Sequence, residues 1–193
     1  AVLVVNLIGV QLTLLLITYF RVVRPGVITW QDMGLTLENL PQRVAVGGAA
    51  GLAVLITAGL IEQVLSRFGV EHVQAELFDV VKVATFHQFV GILLAGAFLA
   101  PVAEEIFFRG YLFTALLREH SAWQAYLFSA LLFGVVHLNL ERPQLAALLP
   151  FFTIGLLLAY VYHQTRSLVP PIVAHGMNNF IGLTVLYFGP GAG

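Results

Sequence analysis

The chain is built from apolar runs too long and too free of charge for a water-soluble fold. Ala1 to Phe20, Val44 to Ile61 and Leu145 to Tyr162 contain no charged residue. Trp123 to Leu140 and Leu168 to Phe188 contain none either, apart from the imidazoles of His137 and His175. A spanning helix needs about 20 apolar residues, with a range of roughly 17 to 25. Long, non-alternating runs point to helices, whose backbone groups pair within the segment, rather than to the strands of a barrel. Composition agrees: only 10% of residues are charged, against about 25% in soluble domains, and the mean hydropathy is +0.91. The expected fold is therefore all-α, a polytopic helical membrane protein.

The 193 residues leave room for one membrane domain, 1–193. Ala1 to Phe20 lacks a basic n-region and a small-residue cleavage site, so it reads as a spanning helix and not a signal peptide. A start at Ala1 rather than methionine suggests a piece of a longer precursor. Arg21, Arg24 and Pro25 close this first run, and Gln31 to Arg43, with Pro41, reads as a loop. In the second run Gly47, Gly48 and Gly51 include a G-x-x-x-G spacing that lets a neighbouring helix come close. Glu62 to Lys82 mixes charges with Val64, Leu65, Val73, Leu77 and Val80, the pattern of an interfacial amphipathic segment. Phe86 to Val102 and Ile106 to Leu117 are two further apolar runs. The total is roughly seven to eight transmembrane or membrane-embedded helices. Arginines in the first loop favour a cytoplasmic first loop, with Ala1 outside. A net charge of −1 offers no basic surface for nucleic acid, and the absence of cysteine excludes disulfides and thiol chemistry.

Polar groups at membrane depth are the informative ones, because each costs insertion energy and is retained for a reason. Three clusters qualify. In Glu104-Glu105-x-x-x-Arg109 the spacing puts Glu105 and Arg109 on one helix face as an ion pair. Glu104 is turned about 100° away. Pro101 predicts a helix start, with both carboxylates in the first turn. The second cluster is Phe133-x-x-x-His137. The third is His175-x-x-x-Asn179, with Asn178 beside it facing elsewhere. The remaining histidines, His72, His87, His120 and His163, lie near helix ends. Each cluster also has a purely structural reading: an ion pair or an interhelical hydrogen bond. Together they supply a carboxylate, two imidazoles, an amide and a guanidinium, enough to activate water and hold an oxyanion. One or two carboxylates with two histidines also resemble zinc ligation, so Glu104, His137 and His175 are candidate metal ligands. H-E-x-x-H and G-x-S-x-G are absent.

In this order the three clusters resemble the motifs E-E-x-x-x-R, F-x-x-x-H and H-x-x-x-N of the CPBP family, the CaaX proteases and bacteriocin-processing enzymes also called Abi. The phrase Ala100-Pro101-Val-Ala-Glu-Glu-Ile-Phe-Phe-Arg-Gly110 is similar to that family's most recognisable stretch. The resemblance covers 86–188. It implies an intramembrane endopeptidase in which Glu104 and His137 activate water, His175 and Asn179 stabilise the oxyanion, and Glu105 and Arg109 hold the site together. It leaves open a metal-free glutamate mechanism or a zinc metalloprotease. It also implies membrane lipid as surroundings, a peptide or membrane-protein substrate and a bacterial plasma membrane. A non-catalytic assembly or immunity factor, and a small carrier or channel, are the competing functions. Simple alternation of spans sets His175 near the membrane face opposite Glu104 and His137. A common site therefore requires a helix that begins or breaks at depth, with Pro101, Pro150 and Pro170-Pro171 as the candidate places.

Overall fold

The computed structural model describes residues 2–70, 80–138 and 145–189. Among these, all regular structure is helical. We label the helices α1 (Val2–Thr18, extended by a π turn Tyr19–Val23), α2 (Leu40–Arg67), α3 (Phe86–Glu119), α4 (Ala122–Val136), α5 (Leu148–Thr165) and α6 (Val169–Phe188). Among the described residues, four segments are long and apolar enough to cross a membrane: Leu3–Val23, α2, α3 and α5. The chain is a polytopic helical membrane protein.

Several expectations change at the level of elements. The runs Phe86 to Val102 and Ile106 to Leu117 are one continuous helix, so Pro101 starts nothing and the two carboxylates lie mid-helix. The α3 backbone absorbs Pro101 by widening into a π turn at Ala95–Leu99, and a second π stretch covers Ile106–Phe113. Such widening relieves the clash between a proline ring and the carbonyl four residues earlier. Pro41 opens α2 rather than sitting in a loop. Glu62 to Arg67 are the last turns of α2, not the beginning of a surface segment. The rest of that segment at 71–79, with Glu71, His72, Val73, Glu76, Leu77 and Asp79, lies outside the described residues, as does Leu140.

The helix starts follow from local chemistry. Thr85 and Gln88 form a reciprocal capping box before α3, and Ser121 and Gln124 form another before α4. Each satisfies two backbone N–H groups that a helix start leaves unpaired. The G-x-x-x-G spacing does what it predicts. A Cβ at Gly47 would stand 2.8 Å from the Pro170 carbonyl oxygen and 2.7 Å from Val173 Cβ, and one at Gly51 2.8 Å from Met177 Cε. So α2 and α6 are in backbone contact.

Depth is set by two hairpins. Glu104 lies fifteen positions before the end of α3 at Glu119, and His137 lies fifteen positions after the start of α4 at Ala122. Equal arms of about 22 Å, joined by the short turn at His120 and Ser121, bring the two residues level. The turn before α6 does not reach the end of α3. Leu168 packs against Gly110, nine positions inside that end. From Pro170 and Pro171 in the first turn, α6 thus begins at depth, and His175 arrives beside the carboxylates. Pro150, in the first turn of α5, likewise marks a start and not a break.

Candidate active site

Glu105 and Arg109 are wholly buried on one face of α3, and Arg109 Nη1 donates to Glu105 Oε1 at 2.9 Å. Arg109 Nη2 donates to the Gly155 carbonyl on α5 at 3.0 Å, and its guanidinium carbon stands 4.6 Å from the centre of the Phe133 ring. Charge pairing, a carbonyl and an aromatic face together hold the cation where no water reaches it. His175 Nδ1 lies 2.9 Å from the same Glu105 oxygen. Facing a carboxylate, that nitrogen carries the proton and donates, which leaves Nε2 as the nitrogen turned the other way.

Glu104 occupies the opposite side of this group. Its Oε1 accepts a hydrogen bond from Gln11 Nε2 of α1 at 3.0 Å. Its Oε2 is buried without a hydrogen-bond partner among the described residues. Two imidazole nitrogens face that oxygen: His137 Nε2 at 3.6 Å and His175 Nε2 at 3.9 Å. His137 is held by its other nitrogen, which donates to the Phe133 carbonyl at 2.7 Å, and by Phe151, stacked on its ring at 4.6 Å. Both histidines thus present Nε2 to one carboxylate oxygen, at separations too long for direct hydrogen bonds and short enough for one water to touch them.

Asn179 lies one turn beyond His175, and its amide donates to the Gly96 carbonyl of α3 at 2.9 Å. The sequence explains why that carbonyl is free. In the π turn the Ala100 N–H bonds to Ala95, so the next donor in register for Gly96 is residue 101, a proline with no N–H. Asn178 donates to Asn179 Oδ1 at 3.2 Å, which sets the direction of the Asn179 amide. The second N–H of Asn179 is unassigned by these contacts. Glu104, His137, His175 and Asn179 line one cavity of about 650 Å³ with mainly apolar walls, including Ile92, Ile154 and Leu183. Glu105 and Arg109 stand behind that wall.

Among the described residues, no group of three or more His, Cys, Asp or Glu side chains is arranged to hold a metal ion. Glu104 Oε2 and the two Nε2 atoms come nearest. Donors bound to zinc at about 2.0–2.1 Å sit roughly 3.4 Å apart in a tetrahedral site, closer than the 3.9 Å between His175 and Glu104. The buried guanidinium of Arg109 is a further charge against a divalent cation.

All six residues singled out in the sequence, Glu104, Glu105, Arg109, His137, His175 and Asn179, therefore fall in one neighbourhood, five of them in direct or near contact. Four contributors escaped the sequence reading. Gln11 had a legible signal, an amide in the middle of an uncharged run that it shares with Asn6. The carbonyls of Gly96 and Gly155 and the ring of Phe151 had none, because backbone acceptors and aromatic neighbours leave no mark in one dimension.

A helical membrane bundle with a buried ion pair behind a carboxylate and two imidazoles, all beside a cavity, belongs to the class of polytopic membrane proteins with a candidate hydrolytic centre. Residues 86–181 match the family model described as type II CAAX prenyl endopeptidase Rce1-like. With its three motifs in that half, the chain belongs to the CPBP family of membrane proteases. Among curated proteins it is similar to YdiL of Bacillus subtilis, described as a candidate membrane peptidase: 30% identity over 123 residues, 63% of this chain and 46% of YdiL. It is also similar to YxdF of Lactococcus lactis, at 26% identity over 84 residues, 44% of each chain. The matched stretches thus cover less than half of either relative. No solved structure matches the chain at a significant level.

Proposed function

We propose that this protein is an intramembrane endopeptidase of a bacterial plasma membrane, with Glu104 as the base. One observation supports this above all. Glu104 Oε2 is a buried carboxylate oxygen with no partner among the described residues, facing His137 Nε2 at 3.6 Å beside the cavity. A buried carboxylate oxygen left without a hydrogen bond is costly. Unlike the equally unpartnered Oε2 of Glu105, this one belongs to a residue that borders the cavity, where a substrate water would supply what is missing.

In this reading a water donates one hydrogen bond to Glu104 Oε2 and one to His137 Nε2. Glu104 removes a proton as the water oxygen attacks the peptide carbonyl carbon. The carbonyl oxygen becomes an oxyanion, to which Asn179 offers its second N–H. His175 also faces that oxyanion, and donates to it through Nε2 when both ring nitrogens carry protons. Glu104 then returns its proton to the departing nitrogen, the C–N bond breaks, and a carboxylic acid, which keeps the water's second proton, and an amine leave. Positioned donors in a dry site are worth far more than in water. The substrate is a peptide or membrane protein whose scissile segment enters from the lipid side of the apolar cavity. No step requires a metal.

The test uses the protein in detergent micelles with a mixture of internally quenched peptides rich in apolar residues, and products are identified by mass. Hydrolysis by the wild type that disappears in Glu104→Gln, at equal yield, is the expected result. Full activity in Glu104→Gln removes Glu104 as the base. A wild type that cleaves none of these peptides, nor membrane proteins of its own host, favours an assembly or immunity factor.

A further inference from the structure

The first helix, outside the family-matched stretch, also reaches the base, through the side chain of Gln11. Gln11 is 3% exposed in the middle of α1, surrounded by apolar neighbours. Its Nε2 stands 3.0 Å from Glu104 Oε1, while its own Oε1 has no hydrogen-bond partner among the described residues. An amide with one end unpaired at this depth is not there to stabilise α1, since an apolar residue would do so at lower cost. The amide direction follows from chemistry, because the reverse orientation would set a carbonyl oxygen against a carboxylate oxygen.

We propose that Gln11 is a positioning residue for the base. By occupying Oε1 it fixes the rotation of the Glu104 carboxylate and leaves Oε2 as the only oxygen free to meet the two Nε2 atoms and a water. Without it the carboxylate can turn, or offer Oε1 to His137, and the productive arrangement becomes one of several. The idea rests on Glu104 being the base, and it adds a residue from outside all three motifs. It also predicts a division of labour. Gln11 does not line the cavity, whereas Leu7, one turn earlier on α1, does, so Gln11 affects turnover and not substrate binding.

The test compares Gln11→Met, near-isosteric and unable to donate, with Asn6→Met, an amide on the exposed side of the same helix. On the quenched peptide that the wild type cleaves fastest, Gln11→Met is expected to lower kcat on the order of 10- to 100-fold, the worth of one charge-assisted hydrogen bond, with KM within about twofold. Asn6→Met leaves both unchanged. Should Gln11→Met reduce the yield, Gln11→Asn carries the same expectation, since it keeps the amide but is one methylene too short. A second readout needs no turnover. In protein labelled with 13C-glutamate, the infrared difference between wild type and Glu104→Gln isolates the Glu104 carboxyl band, and Gln11→Met is expected to shift it. An unmoved band, or Gln11 variants with wild-type kcat, overturns the role of Gln11 while an inactive Glu104→Gln still supports Glu104 as base. An active Glu104→Gln instead removes the base itself, and the infrared band then decides only the contact.

Discussion

Two neighbouring carboxylates on α3 meet opposite environments. Glu105 is fully buried, and its Oε1 accepts from both Arg109 and His175 at 2.9 Å. Glu104, one residue earlier, is held at one oxygen by Gln11 and exposes the other to two imidazole nitrogens at the cavity wall. Each keeps one buried oxygen without a hydrogen-bond partner among the described residues. A 100° rotation about the helix nonetheless turns Glu104 to the cavity wall and two imidazoles, while Glu105 pairs with the cation behind it. Identity and depth are shared, so the difference comes from neighbours alone. It teaches that a pair of adjacent acids need not be a catalytic pair. Here one carries the buried ion pair and the other faces the cavity.

The strongest way to break this comparison is to remove the frame. Arg109→Ala leaves Glu105 as a buried anion without its cation, and breaking a buried pair costs about 3–5 kcal/mol. The expected outcome is loss of the monodisperse peak in size-exclusion chromatography, and Glu105→Ala behaves alike. Glu104→Gln sharpens the contrast from the other side. Cleavage falls by roughly 10²–10⁴-fold, the usual contribution of a general base, while the melting temperature stays within error of wild type. If the two carboxylates responded identically in both measurements, the division between them would be wrong.

A smaller effect is expected at the seam that carries His175 into place. Gly47→Leu pushes against Val173 and the Pro170 carbonyl, and overpacking of this kind costs about 1–3 kcal/mol. Gly48 has open space around a Cβ, so Gly48→Leu leaves thermal stability unchanged. Equal melting temperatures for the two variants would show that α2 and α6 are not in close contact.

Weaker still is the loop that packs beneath the α5–α6 turn, where the Leu168 N–H and the Ser167 hydroxyl donate to the Gly34 carbonyl. Asp32 caps this loop, accepting from the Thr29 hydroxyl at 2.7 Å and the Thr29 N–H at 3.0 Å. These hydrogen bonds pull its carboxyl below the ordinary carboxylate range. A lowered folded-state value means that the contribution is present at neutral pH and is lost as pH falls below about 4. A slight drop in melting temperature through that range, absent in Asp32→Asn, is the expected signature. The smallest expected change is none: dialysis against a strong chelator leaves peptide cleavage unaltered. Activity that vanishes with chelation and returns with zinc would place a metal at Glu104 and the two histidines, and the free oxygen of Glu104 would then be a ligand.

The sequence alone was enough to determine the solvent and the class of fold, because 20-residue uncharged runs have few alternatives to helices in lipid. It also singled out six polar residues that fall together in space, since each stands out against an apolar background, and it paired Glu105 with Arg109, since i, i+4 is a local relation. It did not reveal depth. Pro101 looked like a helix start because proline usually is one; only neighbouring helices, and an Asn179 able to take up the Gly96 carbonyl, let α3 run through it. Nor could spacing show that α6 begins level with Gly110, which is what brings His175 to Glu104. Equal hairpin arms, the α2–α6 seam and the reach of Gln11 from α1 are relations between segments distant in sequence. Tertiary packing decided them because contacts across helices depend on where each helix begins in space, and that is fixed by every other helix it touches.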